Sequence, residues 1–174
     1  MRISDRLRHA RIETELGCML LVARDDALVG AYFDGQKYLP AANVIGDEVS
    51  LGEDRLLSQA ATELLAYLAG ERNSFAVPIA PQGDDFSQKV WQILLRIPYG
   101  ETITYGAIAD ELGSKGLSQR VGQSVGHNPL SVIVPCHRVL GADGSLTGYA
   151  GGLDRKRALL ALEEPDAADA GRLF

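Results

Sequence analysis

The first third of the chain alternates between apolar runs and turn residues. Three apolar or loosely alternating runs lie within residues 8–33, and Gly17 and Asp25–Asp26 separate them. This pattern predicts a hairpin or meander of antiparallel sheet. Residues 34–53 contain glycine and proline without a regular period, which predicts a surface loop.

A helical period follows the loop. Apolar residues recur every three or four positions over residues 54–69, and Gly70 ends the pattern, which predicts a helix. The run Phe75–Ile79 predicts an edge strand, because Pro78 cannot donate a ladder hydrogen bond. Residues 81–84, Pro-Gln-Gly-Asp, predict a linker.

Helical patterns dominate after the linker. Asp85 and Gln88 predict a capping box for a helix that presents an apolar stripe and ends at Pro98. Trp91 lies off that stripe, and we expect it to pack in the core. The stripe consists of Phe86, Val90, Ile93, Leu94 and Ile97.

Two short helical segments, residues 105–112 and 117–125, flank a turn that contains Gly113 and Gly116. This arrangement predicts a helix-turn-helix. The second segment has serine or glycine at Ser118, Gly122, Ser124 and Gly126, so it carries few large side chains. Two interpretations stay open: close approach to a nucleic-acid groove, or tight packing against another helix.

A hydrophobic run, Leu130, Val132, Ile133 and Val134, predicts a buried strand that ends beside Cys136. Residues 147–152 predict a flexible loop, and Leu153–Glu163 predicts a final helix. We expect the tail, residues 166–174, to be disordered.

Composition places the chain among globular proteins: 46% of its 174 residues are hydrophobic and 23% are charged. No apolar stretch is long enough to cross a bilayer and the first residues lack a signal peptide, so we expect a cytoplasmic protein without membrane contact. The net charge of −6 argues against nucleic acid, but residues 86–162 carry eight cations and five anions, a net charge of +3. That balance is compatible with DNA binding through few phosphates.

The candidate chemistry centres on Cys136, which lies between Pro135 and His137 and is followed by Arg138. An unperturbed thiol with a pKa of about 8.5 is only roughly 3% ionised at pH 7, and the two neighbours are of the types that activate a thiol. The alternative is a small buried hydrophobic cysteine. With only one other cysteine, Cys18, neither a disulfide framework nor a structural zinc site is expected, and no role follows for Cys18.

The order of these motifs resembles the O6-alkylguanine-DNA alkyltransferases, suicide DNA-repair proteins. The resemblance covers about residues 84–164 and rests on four motifs: Ile97–Thr102 leading to Tyr105, Gly126–Pro129, Val134–Val139, and Gly148–Tyr149 before a helix that carries Glu163. It implies an α/β protein with a small N-terminal domain of antiparallel sheet and helix (1–80), a linker (81–84), and a mostly helical C-terminal domain with the helix-turn-helix (85–165).

The resemblance also implies roles for the central residues. Cys136 would accept the alkyl group, His137 would act as its base through a water, and Glu163 would orient His137. We expect the carboxylate to favour the imidazolium, which in turn favours the thiolate. Asn128 would tie the helix-turn-helix to the cysteine segment, and Tyr105 would meet the flipped nucleotide and protonate the departing guanine.

Further residues follow from the same resemblance. Tyr149 and the backbone of Val139 would line the guanine pocket, with Ser131 and Ala150 leaving it roomy, and Arg138 would brace the fold. Gly122 lies on the smooth recognition helix, which should approach the minor groove. The family usually has, near the start of this helix, an arginine wedge, a side chain that fills the space left by the flipped base. Here Gln119 aligns with that arginine and Arg120 follows it, so the sequence leaves open which of the two fills the space.

These observations predict irreversible, stoichiometric transfer of an alkyl group from O6-alkylguanine in double-stranded DNA to Cys136, with O4-alkylthymine an open second substrate. We expect a monomer that needs no metal and no cofactor. Three alternatives stay open: a non-catalytic binder of alkylated DNA, a sequence-reading transcriptional regulator, and a cysteine hydrolase. Absence of alkyl transfer to Cys136 would favour the binder, strong preference for one undamaged DNA sequence would favour the regulator, and turnover of an ester would favour the hydrolase.

Overall fold

The computed structural model describes residues 7–164. A sheet in the N-terminal part is followed by a mostly helical C-terminal part, which confirms the predicted α/β fold class. In chain order they are β1 (Leu7–Thr14), β2 (Gly17–Arg24), β3 (Ala27–Phe33), β4 (Asp47–Glu48), α1 (Arg55–Leu68), α2 (Asp85–Leu95), β5 (Ile103–Thr104), α3 (Tyr105–Glu111), α4 (Ser118–Gly126), β6 (Val139–Leu140) and α5 (Leu153–Glu163).

The predicted antiparallel meander forms one sheet with strand order β3-β2-β1-β4. Strand β1 pairs antiparallel with β2, and β2 with β3. The short β4 adds parallel to β1, so residues 34–53 are less irregular than the sequence predicts. Helix α1 packs on the sheet, and its apolar stripe is buried at Leu57, Leu64, Tyr67 and Leu68.

The prediction of an edge strand at residues 75–79 is wrong. Only Ile79 forms a bridge, with Leu28. The reason is that the Glu63 carboxylate accepts the N–H groups of Ala76 and Val77 at 2.8 and 3.0 Å, so these donors are unavailable to a ladder.

The helix after the linker begins one residue earlier than the capping box predicts. Asp84 is the N-cap, and its side chain accepts from the Ser87 N–H at 2.8 Å, while Gln88 donates to the carbonyl of Pro81. Trp91 is buried as predicted and donates to the carbonyl of Ser124 at 2.9 Å, which joins α2 to α4.

Helices α3 and α4 form the predicted helix-turn-helix, with a 3₁₀ turn between them. The structure supports the packing interpretation of the small residues on α4 at Ser124, while close approach to a nucleic-acid groove stays a prediction. Ser124 is buried against α2, where its hydroxyl lies 3.0 Å from that of Ser87. Gly122 faces away from α2 and contacts the ring of Tyr105.

The prediction of a strand over residues 130–134 is wrong beyond its first residue. Leu130 bridges Ala31 at the edge of β3, but Val132 has a φ of 74° and the chain turns there. The Val134 N–H then bonds back to the Leu130 carbonyl at 2.9 Å. A turn that is buried on all sides has the same predominantly apolar sequence as a buried strand.

Helix α5 has the predicted bounds. The predicted tail lies outside the described residues, and the linker and domain boundaries stay predictions. No helix within residues 7–164 combines the length and the apolar character that spanning a membrane requires.

Candidate active site and DNA-binding face

The segment that carries Cys136 is held by the N-terminal sheet and by Asn128. At the edge of β3, Ala31 donates to the Pro129 carbonyl at 2.8 Å and accepts from the Ser131 N–H at 2.9 Å. Asn128, which is buried, accepts from the Leu130 N–H at 2.9 Å and donates to the Val134 carbonyl at 2.8 Å. The turn before Cys136 is therefore fixed by hydrogen bonds from both halves of the chain.

Cys136 begins a 3₁₀ turn, Cys136–Arg138, and is only 4% exposed. Burial raises the pKa of its thiol, and the Asn128 side chain and the charge of Lys156 oppose part of that rise. The resting cysteine is therefore a thiol at neutral pH. A nucleophilic role requires a base that takes its proton.

His137 is fully buried, and its Nε2 lies 2.7 Å from Glu163 Oε2. Burial, with the positive charges of Arg138 and Lys156, lowers the pKa of His137 to about 3. This lowered pKa runs against the expected resting imidazolium, because burial and two neighbouring cations disfavour a charged ring. The neutral ring donates Nε2–H to Glu163, and its other nitrogen, Nδ1, is buried and has no hydrogen-bond partner within residues 7–164.

The carboxylate of Glu163 accepts hydrogen bonds from four residues. It accepts from Arg138 Nε at 2.7 Å and Nη2 at 2.9 Å, from the Gly100 N–H at 3.3 Å, from His137 and from the hydroxyl of Tyr67. Burial raises the pKa of Glu163 to about 7, while Arg138, with a pKa that burial lowers to about 10, stays charged. Arg138 thus braces the site internally, and it also donates to the carbonyl of Ile97 at 2.7 Å.

The sequence analysis missed Tyr67 and Lys156. Tyr67, on α1, brings the N-terminal domain into contact with Glu163. Lys156 is completely buried on α5, and its Nζ donates to the carbonyls of Val139, Thr147 and Gly148 at 2.5, 2.9 and 3.3 Å. It therefore ties the strand after the cysteine to the loop that carries Tyr149. The sequence signal is that positions 156, 159 and 163 share one buried face of α5.

A cleft of about 150 Å³ lies between α3, α4 and the 147–152 loop. Tyr105, half-buried, donates from its hydroxyl to the Thr147 carbonyl at 3.3 Å, and burial raises its pKa. The hydroxyl of Tyr149 is buried without a hydrogen bond of good geometry within residues 7–164, and burial, with a smaller contribution from Cys136, raises its pKa well above the usual value. The lining consists of Lys37, Tyr38, Tyr105, Gly122, Val125, Gly126, Gly148, Tyr149 and Ala150.

Two candidate pocket residues are buried and do not line the cleft. Val139 is fully buried, and its carbonyl accepts from Lys156. Ser131 is 1% exposed, and its hydroxyl donates to Gln36 at 3.3 Å. The structure thus brings Tyr105, Gly122, Tyr149 and Ala150 together on the cleft and leaves Ser131 and Val139 outside its lining.

The two wedge candidates point in different directions. The guanidinium of Arg120 lies over the ring of Phe86 on α2, 4.0 Å from its centroid. Gln119 is exposed and shares a face of α4 with Gly122 and Gly126, three and seven positions away. Gln119 therefore borders the cleft, whereas Arg120 is held against α2.

Two family models match the chain in succession. Residues 7–81 match the 6-O-methylguanine DNA methyltransferase, ribonuclease-like domain, and residues 85–165 match the 6-O-methylguanine DNA methyltransferase, DNA binding domain. The two ranges together cover nearly the whole chain.

Individual relatives agree with the family models. A methylated-DNA–protein-cysteine methyltransferase of Mycobacterium tuberculosis is 43% identical over 161 residues, which are 92% of this chain and 94% of that protein. A protein of the same name from Mycolicibacterium paratuberculosis is 39% identical over 97% of this chain and 99% of its own length. The crystal structure of Mycobacterium tuberculosis OGT in complex with DNA superposes with a TM-score of 0.81 at 43% identity, covering 90% of this chain and 92% of that one. The chain belongs to the 6-O-methylguanine DNA methyltransferase family.

Proposed function

We propose that this protein repairs O6-alkylguanine in double-stranded DNA by transferring the alkyl group to Cys136. The Cys136 sulfur attacks the alkyl carbon, the S–C bond forms as the bond between that carbon and O6 breaks, and guanine leaves. The thioether is stable, so each molecule reacts once. The observation that carries the proposal is His137 Nδ1, a buried nitrogen that has no hydrogen-bond partner within residues 7–164 and belongs to the residue that follows the buried Cys136.

The proton of Cys136 passes to His137 in this mechanism. Because Nε2–H is held by Glu163, Nδ1 is the nitrogen that accepts, through one water. The positive charge that then forms on the ring lies beside the Glu163 carboxylate. The step as written uses no metal ion and no external cofactor.

The remaining cleft residues act on the guanine. The raised pKa of Tyr105 keeps its hydroxyl protonated at neutral pH, so it is able to give a proton to the departing base. Tyr149 and Ala150 border the base in the cleft, and the buried residues Val139 and Ser131 support them. Asn128 holds the turn that aims the sulfur.

A buried acceptor requires that the damaged nucleotide leave the helix. Cys136 is 4% exposed, so a base stacked within a duplex cannot reach it, and extrusion of one nucleotide is needed. The small side chains of α4 allow that helix to approach the floor of the minor groove closely. One chain supplies every residue of the site, so we propose that the protein acts as a monomer. We also propose that it acts in the cytoplasm, on chromosomal DNA.

Mass spectrometry tests the transfer directly. After incubation with a duplex that contains one O6-methylguanine, we expect the intact protein to gain about 14 Da, one methylene, located on Cys136, in a one-to-one ratio. Cys136→Ser should bind the same duplex and gain nothing. Tight binding of the methylated duplex by the unaltered protein without any mass gain would instead identify a non-catalytic binder.

We propose that Gln119 fills the space left by the flipped base. Gln119→Arg should tighten binding to an O6-methylguanine duplex about 5-fold to 10-fold, or about 1 kcal/mol, because a longer cation fills the gap and attracts phosphate. Equilibrium binding and the single-turnover transfer rate measure the effect. Arg120→Lys, which keeps the charge on the α2 side, is the matched control and should change neither; an unchanged affinity for Gln119→Arg would contradict the assignment.

A further inference from the structure

The N-terminal domain contributes two residues to the cleft, Lys37 and Tyr38. The ring of Tyr38 stacks on the ring of His127, the residue that follows α4, with centroids 3.8 Å apart and planes inclined by 24°. Tyr38 is nevertheless 58% exposed. A large aromatic surface at the edge of a nucleotide-sized cleft is therefore free to contact a ligand.

The position of this loop is fixed by the substrate loop and by the cysteine segment. The Lys37 N–H donates to the Ala150 carbonyl at 3.0 Å. Gln36, which is buried, accepts from the Phe33 N–H at 2.7 Å and from the Ser131 hydroxyl at 3.3 Å. These contacts hold residues 36–38 against both parts of the candidate active site.

Tyr38 adopts a backbone conformation that side chains with a Cβ avoid, with a φ of 61°. Such conformations persist where the surrounding structure imposes them, and they cluster at ligand-binding sites. Here the imposed conformation carries the Tyr38 ring over His127. The side chain of Lys37 is exposed and makes no ion pair within residues 7–164.

We propose that Lys37 and Tyr38 belong to the DNA-binding surface, so that the N-terminal domain takes part in substrate binding. Tyr38 packs against the extruded nucleotide at the mouth of the cleft, and Lys37 contacts a phosphate of the damaged strand. Aromatic side chains bind unstacked nucleotides through their faces, and a lysine beside them neutralises the backbone. This inference rests on the proposed function, because it takes alkylated duplex DNA as the substrate.

Salt dependence tests Lys37. For Lys37→Gln we expect the slope of log affinity against log salt concentration to become shallower by about 0.9, the value for one lost phosphate contact on duplex DNA. Arg55→Gln removes the same charge from the same domain, at an exposed position outside the cleft lining, and should leave the slope unchanged. Equal slopes for Lys37→Gln and the unaltered protein would overturn the phosphate contact.

Affinity for damaged DNA tests Tyr38. Tyr38→Ala should weaken binding to an O6-methylguanine duplex about 10-fold, within the range measured for loss of one aromatic stacking partner. Tyr38→Asn is a second variant that removes the ring but tolerates a positive φ, and it should show the same loss. Leu39→Ala, a neighbouring exposed residue that does not line the cleft, is the control. Unaltered affinity in both Tyr38 variants would overturn the packing role.

Different results would contradict the proposed function and the inference about the N-terminal loop. If the unaltered protein transfers no methyl group to Cys136, the proposed function is wrong. If it transfers the group and the Lys37 and Tyr38 variants bind like the unaltered protein, the function stands and the inference about the N-terminal loop is wrong.

Discussion

His137→Gln should slow methyl transfer from an O6-methylguanine duplex about 10²-fold to 10⁴-fold at pH 7, the range expected for loss of a general base. Burial raises the pKa of Cys136, so a resting thiolate is scarce and a base has to take the proton as the sulfur attacks. Single-turnover kinetics with rapid quenching measure the rate.

The pH profile should change as well, because the proton reaches a different destination. In the unaltered protein His137 takes the thiol proton as the sulfur attacks, so the reacting form is the neutral thiol with a neutral imidazole. The rate should therefore be nearly independent of pH from well above the His137 pKa of about 3 up to the raised pKa of Cys136. In His137→Gln the thiolate forms only by release to solvent, so the rate should rise about tenfold per pH unit below the thiol pKa.

A control for this variant is His9→Gln, which removes another buried histidine, one that lies on β1 and contacts the carbonyls of Ile45 and Gly46. It should keep the flat profile. Urea unfolding of both variants separates loss of the base from loss of the fold. A flat profile for His137→Gln at near-normal rate would show that His137 is not the base.

Long periodic segments were the most predictable part of the fold. The meander and the helices α1, α3 and α5 follow from patterns that extend over seven or more residues, where burial of one face determines the element. The segment before Cys136 was not predictable in this way. Its turn depends on Val132 at a φ of 74° and on side-chain hydrogen bonds from Asn128, neither of which leaves a period in the sequence.

The sequence indicated the members of the candidate site better than its protonation state. His137, the neighbour of Cys136, meets Glu163 across 26 positions of sequence. The lowered pKa of His137 runs against the expected imidazolium, because the ring is buried and Arg138 and Lys156 add positive charge near it. Tyr67 contacts Glu163 across 96 positions of sequence, and a tyrosine within an apolar helical stripe does not reveal such a partner.

Glu163→Ala should lower the free energy of unfolding by about 3–5 kcal/mol, the cost of leaving one member of a buried ion pair without its partner. Glu163 is 4% exposed and Arg138 is 7% exposed, and the two share a bidentate contact at 2.7 and 2.9 Å. The substitution also leaves the Tyr67 hydroxyl and the His137 Nε2–H without an acceptor. Urea unfolding at pH 8, above the raised pKa of Glu163, measures the loss for the ionised pair.

The neighbouring residue provides the matched control. Glu164 is exposed, so Glu164→Ala should change the free energy of unfolding by less than about 0.5 kcal/mol. Adding Arg138→Met to Glu163→Ala should recover part of the loss, because the unpaired cation is then replaced by an apolar side chain. If Glu163→Ala were as stable as Glu164→Ala, the contact with Arg138 would contribute nothing to stability.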